Sequence, residues 1–167
     1  MQTTIMPSHR GEVGFTLMEL VVVIIVIGIL AAVVMSGSTP ISSSRLAHAD
    51  ALKSHIRYAQ SRAMKTGQTW GINCDGTSYW LFNGADSSVA NAVALPGETA
   101  LSINLASRNI SLTTFNTLAF DISGRPYSTA DLSTALAADL LITLTATDDA
   151  TVSTTLTIIE ETGYVQQ

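Results

Sequence analysis

Phe15 to Met35 reads FTLMELVVVIIVIGILAAVVM, 21 residues whose only ionisable member is Glu19. As a helix this run measures about 31 Å, enough to cross a hydrocarbon core of roughly 30 Å. The residues before it are polar and set His9 and Arg10 against Glu12. Positive charge beside a span favours the cytoplasmic side, so the sequence predicts a single-pass protein with a cytoplasmic N-terminus and its remaining 132 residues beyond the membrane. The chain as a whole has 167 residues, 47% of them hydrophobic and 13% charged, with a mean hydropathy of +0.35. That composition is far from the polar, highly charged signature of disorder, and the length suits one domain. Cys74 stands alone, which excludes an internal disulfide and a cysteine-based zinc cage.

A secretory signal would show basic residues, a shorter apolar run and a small-residue cleavage site after it. Here the small residues Gly11-Glu12-Val13-Gly14 precede the run, so a cut there leaves the helix on the mature protein. Glu19 makes such a cut informative, because a carboxylate within a membrane helix costs about 2.5 kcal/mol or more without a partner. Cleavage after Gly14 exposes a positive amine on Phe15, one helical turn from Glu19, or within reach of a neighbouring subunit's Glu19. The alternative is a carboxylate resting solvated at the headgroup level. Further along, Gly28 and Ala32 form a small-xxx-small pair that lets another helix approach closely.

Gly14-Phe15-Thr16-Leu17-Met18-Glu19-Leu20 resembles the type IV prepilin signal. The resemblance implies cleavage after Gly14 by a prepilin peptidase and methylation of the new N-terminal Phe15. It also implies that Glu19 aligns subunits in a filament. The proline that major pilins carry in this helix would fall at Ser36, whereas here it is Pro40.

Thr39-Pro40 reads as a cap and first helical position. The helix that follows carries Ala49, Leu52, Ile56, Ala59 and Ala63 as one apolar stripe, with Lys53, Arg57, Arg62 and Lys65 elsewhere and Gly67 as its stop. Beyond it the period becomes that of strands. Gln68 to Asn73 and Thr77 to Asn83 flank a hairpin turn at Cys74-Asp75-Gly76, and strand-like runs follow at Leu101 to Ala106, Ile110 to Asp121, Leu140 to Thr147 and Thr151 to Ile159, the last two joined by a turn at Asp148-Asp149-Ala150. The fold class is α+β, a helix laid on an antiparallel sheet. The expected organisation is a leader (1–14), a transmembrane helix (15–35), an amphipathic stem (36–67) and a β-rich head (68–167). Gly37 to Gly67 nets +4 and Gln68 to Gln167 nets −8, within a total of −5. A basic stem and an acidic head suit a head-to-tail contact between subunits, and a heterologous contact that does not close builds a helical filament.

ALKSHIRYAQSRAMKTGQTW (Ala51 to Trp70), FDISGRP (Phe120 to Pro126) and ETGYV (Glu161 to Val165) resemble signatures of the H-type pseudopilins of type II secretion and the FimT-like minor pilins. They come nearest to a minor pilin of the mannose-sensitive haemagglutinin (MSHA) pilus. The resemblance implies a type IV pilin-like fold, an inner-membrane location with a periplasmic head, and later residence in a pilus or pseudopilus. Its implied partners are other pilin or pseudopilin subunits, the prepilin peptidase, an assembly platform with its ATPase, and membrane lipid before assembly.

Other chemistry finds little support. His9, His48 and His55 all precede the head, so no Ser/His/Asp or Cys/His system can be built within it. Cys74, in the expected turn, has no local base and is read as a partly buried or exposed free thiol. His48 and His55 are expected on the surface. Asp148-Asp149 and Glu160-Glu161 lack the spacing of a calcium loop, and no phosphate-binding Gly-x-x-x-x-Gly-Lys occurs. The sequence therefore predicts no enzyme, no cofactor and no metal. The head at −8 disfavours nucleic acid as a partner, and with it DNA uptake.

Overall fold

The computed structural model of the protein describes residues 16–36, 40–148, 150–151 and 153–167. The chain divides into two units, Met1–Thr39 and Pro40–Gln167.

The first unit holds helix α1 (Leu17–Ser36). Thr16 caps it, its Oγ1 accepting from the Glu19 N–H at 3.2 Å while its carbonyl accepts from Leu20 at 3.2 Å. Valine and isoleucine dominate α1 despite their modest helix propensity in water. In an apolar medium the backbone has no other way to satisfy its hydrogen bonds. Every described side chain from Leu17 to Ala32 is exposed. A helix apolar on all sides requires lipid or other helices around it. Counted over the described side chains alone, no helix is long and apolar enough to cross a membrane. The run read in the sequence continues past them to Met35.

The second unit begins with helix α2 (Pro40–Thr66). The predicted stripe is its core face: Ala49, Leu52, Ile56, Ala59 and Ala63 are all at most 1% exposed. Leu52 and Ile56 each contribute about 1.5–3 kcal/mol by that burial. Gly67 ends the helix as expected, with a left-handed φ of 68° and its N–H on the Ala63 carbonyl.

Among the described residues ten strands follow, all pairing antiparallel: β1 (Trp70–Cys74), β2 (Ser78–Asn83), β3 (Ala92–Val93), β4 (Ser102–Asn104), β5 (Ile110–Leu112), β6 (Asn116–Phe120), β7 (Pro126–Tyr127), β8 (Leu140–Ala146), β9 (Ser153–Ile158) and β10 (Val165–Gln166). They form two sheets where the sequence predicts one. The first runs β3-β2-β1-β6-β7 with β4 also on β2, and the second runs β10-β9-β8-β5. α2 packs on β1 and β6 of the first sheet and on β8, β9 and β10 of the second.

The expected single strand from Ile110 to Asp121 is where the sheets part. β5 pairs with β8, and β6 pairs with β1. Asn116, at a left-handed φ of 51°, lies at the break. Alternation could not reveal it, because Ile110, Leu112, Leu118 and Phe120 are all buried and all even-numbered, so the period of two continues across the gap.

In the first sheet, strand alternation serves two layers. Ile72, Tyr79, Leu81, Leu118 and Phe120 join the core beneath α2. Trp80, Phe82 and Ala119 face the other way and pack with Ala130.

Candidate functional site

Of the sequence-predicted site residues, Gly14 and Phe15 lie outside the described residues. Glu19 is exposed, in the first turn of α1. Thr16 is the residue that the sequence reading missed. Thr-x-x-Glu is the capping-box pattern, so Glu19 also occupies the position that favours a carboxylate at a helix start. Gly28 is exposed, and a Cβ built on it would meet nothing within 4 Å. Ala32 is exposed one turn further along.

The three signature stretches of the second unit converge on one side chain. Gln60, on α2, donates from Nε2 to the Gly124 carbonyl at 2.8 Å and to the Thr162 carbonyl at 2.8 Å. Gly124 lies in the turn between β6 and β7, and Thr162 in the turn between β9 and β10. One amide therefore ties the ends of both sheets to the helix. Gly163 is fitted to this clasp: its φ is 67°, and a Cβ there would come within 2.7 Å of both Gln60 Nε2 and the Gly124 carbonyl. No L side chain fits without displacing the clasp. Beside it, the Arg57 guanidinium donates to the Val165 carbonyl at 3.2 Å and lies 5.5 Å from the Tyr164 ring centroid. Arg62 stacks over Trp70 at 4.7 Å.

His55 corrects the expectation of a surface residue, being only 3% exposed. Its Nε2 lies 3.2 Å from the Pro96 carbonyl and its Nδ1 lies 3.1 Å from the Tyr79 hydroxyl. A carbonyl only accepts, so Nε2 carries the proton and Nδ1 accepts from Tyr79. Burial lowers the His55 pKa from its ordinary 6.5, partly opposed by the Pro96 carbonyl and Glu98. His48, half-buried one stretch earlier on α2, is lowered first by burial and then by Arg108. Arg108 pairs with Glu98 at 2.8 Å.

Cys74 is likewise inside the fold. It closes β1 opposite Tyr79, fully buried, and burial pushes its thiol pKa up. The turn proper is Asp75 to Thr77, where the Asp75 carboxylate accepts from the N–H groups of Thr77 (2.8 Å) and Ser78 (2.7 Å). Those bonds hold the Asp75 carboxyl below its usual range. Among the described residues no three of His, Cys, Asp and Glu gather closely enough to hold a metal ion. The acidic turn after β8 contains Asp149, which lies outside them.

The sequence profile of a family described as type II transport protein GspH matches residues 48–159, about two-thirds of the chain. The chain belongs to the GspH family. Among solved structures, the type IV minor pilin FimU of Pseudomonas aeruginosa (strain PAO1) is similar in fold, with a TM-score of 0.51 and 13% identity over 76% of this chain and 87% of that one. No curated protein sequence matches the chain significantly. The GspH match covers the core stripe of α2 and nearly all of both sheets, and the FimU likeness gives the architecture as type IV pilin-like. GspH-type pseudopilins and minor pilins are structural subunits, not enzymes.

Proposed function

We propose that this protein is a minor pilin subunit of a type IV, MSHA-like pilus, made as a prepilin in the inner membrane with its N-terminus cytoplasmic and its head periplasmic. The prepilin peptidase cuts after Gly14 and Phe15 is methylated. The subunit then moves from lipid into a helical filament used for attachment or motility. The observation that carries this reading is the conjunction of Gly14, Phe15 and Glu19 at the border of an all-apolar helix with a GspH-family second unit. An exposed Glu19 on a helix otherwise apolar around its circumference is costly in lipid. It becomes favourable once a neighbour's N-terminal amine meets it. Before assembly its surroundings are membrane lipid, and afterwards other pilin or pseudopilin subunits. The assembly platform and its ATPase supply the work, since this sequence has no phosphate-binding loop.

The GspH match favours a second reading, a minor pseudopilin in a periplasmic secretion filament that exports folded proteins. Both readings share the processing chemistry and the role of Glu19. Deleting the gene in its native host, then counting surface pili and assaying secreted enzymes in the same cultures, separates them. Lost pili with normal secretion supports the pilus, and lost secretion with normal pili supports the pseudopilus. Normal pili together with normal secretion would refute both.

A further inference from the structure

The loop between β3 and β4, residues 94–101, belongs to neither sheet and to no helix. It is fastened over α2 by a side chain, a hydrogen bond and an ion pair. Leu95 enters the core at 2% exposed, the Pro96 carbonyl meets His55 Nε2 at 3.2 Å, and Glu98 pairs with Arg108 at 2.8 Å. Within the loop, the Glu98 N–H closes a turn on the Leu95 carbonyl at 3.2 Å.

Beneath the loop lies His55, a titratable group that the filament reading does not use. Tyr79 stands on the other side of the imidazole, its hydroxyl 3.1 Å from Nδ1 and its ring centroid 5.9 Å away. The groups that face this pair are Glu98 from the loop, Arg108 from the turn before β5 and, beside Tyr79, the Cys74 thiol at the end of β1. His48, two turns earlier on α2, feels the same Arg108 and Glu98. Burial keeps Tyr79 and Cys74 protonated at neutral pH, so Glu98 is the anion of the group, and it already pairs with Arg108.

With both histidines neutral the hydrogen bonds close: Nε2–H donates to Pro96, and the Tyr79 hydroxyl donates to Nδ1. A proton added at Nδ1 removes the acceptor of the Tyr79 O–H and places a full charge where water does not reach. Protonating His48 as well sets three cations, His48, His55 and Arg108, around the Glu98 carboxylate. Admitting water to the imidazolium relieves both costs. α2 and β2 cannot withdraw to let it in, because Leu52, Ile56 and Leu81, at most 1% exposed, hold them in the main core. The loop can, since two of its fastenings end on His55 and Arg108, the groups whose charge balance changes.

We propose that residues 94–101 form an acid-released strap: neutral His55 and His48 keep Pro96 to Glu98 down on α2, and their protonation lifts the loop while both sheets stay folded. The inference concerns the second unit alone and holds whether or not the chain enters a filament. It gives that unit a surface that changes reversibly with the acidity around it.

The test uses the full-length protein in detergent with Leu95→Cys, whose introduced thiol is hidden while the strap is closed. Labelling by an aromatic disulfide, which reacts with thiols at acid and neutral pH alike, is followed by mass spectrometry at pH 7 and pH 5. Rates are taken relative to the same chain unfolded in denaturant at the same pH, and peptide mapping separates the introduced thiol from Cys74. Relative labelling is expected to be slow at pH 7, at least about tenfold faster at pH 5, and slow again on neutralisation. Hydrogen exchange of β1, β8 and β9, corrected for the pH dependence of the exchange chemistry, should show protection at both values. Adding His55→Gln, which keeps a side-chain donor for Pro96 and takes up no proton, should leave labelling slow at pH 5. Adding His48→Gln instead removes one of the three cations without touching the buried bonds, and should lower the pH 5 rate. Labelling that is independent of pH or already fast at pH 7 would overturn the strap, as would loss of strand protection together with release. An acid response that survives both histidine substitutions, or a His55→Gln variant that labels fast at both values, would overturn it too.

Discussion

Replacing Gln60 by alanine removes two hydrogen bonds that no neighbouring group can replace, since both acceptors are backbone carbonyls fixed in turns, Gly124 and Thr162. At about 1 kcal/mol each the loss is about 2 kcal/mol. For the unit Pro40–Gln167 an unfolding entropy of about 2.1 cal/mol/K per residue converts this to a fall of about 7 °C in Tm. Gln60→Glu should be worse than alanine, because it removes both donors and points a carboxylate at two carbonyl oxygens. Thermal unfolding of the full-length protein in detergent, followed by the fluorescence of Trp70 and Trp80, reads the order Gln, Ala, Glu. A glutamate variant as stable as the parent would show that the side-chain amide does not donate to both turns, and the clasp would be wrong.

Gly163→Ala should lower Tm at least as far, from a Cβ forced within 2.7 Å of Gln60 Nε2 at a left-handed φ. Its double variant with Gln60→Ala should show non-additivity. Burial lowers the His55 and His48 pKa values, so the unfolded chain binds more protons than the folded one as pH falls below 6.5. Stability should therefore decrease on acidification through that range, and His55→Gln should flatten the slope of a denaturant midpoint against pH. A parent midpoint unchanged between pH 7 and pH 5 would contradict this. Cys74 should resist maleimide in the native protein and react on unfolding, as mass spectrometry would show, whereas rapid native labelling would place it outside the core. Glu19→Gln should leave cleavage intact and impair incorporation into filaments, which immunoblots of sheared material would measure; normal incorporation would remove the pairing role.

Much of the fold is legible because its residues obey one constraint at a time. The stripe from Ala49 to Ala63 has a single face to bury, and Gly67 a single conformation to supply, so period and chemistry agree. The hairpin of β1 and β2 and that of β8 and β9 follow for the same reason. The division into two sheets is hidden because Asn116 breaks the strand without breaking the parity of burial. The burial of His55 and Cys74 is not legible in the sequence, because a polar or turn-adjacent residue can be buried once distant groups accommodate it. For His55 those groups are Tyr79 and Pro96, 24 and 41 residues away. The clasp is intermediate: its three stretches stand out in the sequence, but only the folded chain shows that Gln60 joins them. At the N-terminus the order reverses, since the motif from Gly14 to Glu19 is plain in the sequence while the structure contributes the Thr16 cap and the exposure of Glu19.

The central claim, a pilin-like subunit that is processed and then assembled, turns on the N-terminus of the protein as it exists in the filament. Mass spectrometry of the chain from sheared filaments or pseudopili of its native host measures this directly. The account predicts a polypeptide that begins at Phe15, carries one methyl group on its α-amine and retains the whole apolar helix. A chain that begins at Met1, or one cut beyond Met35, would contradict it.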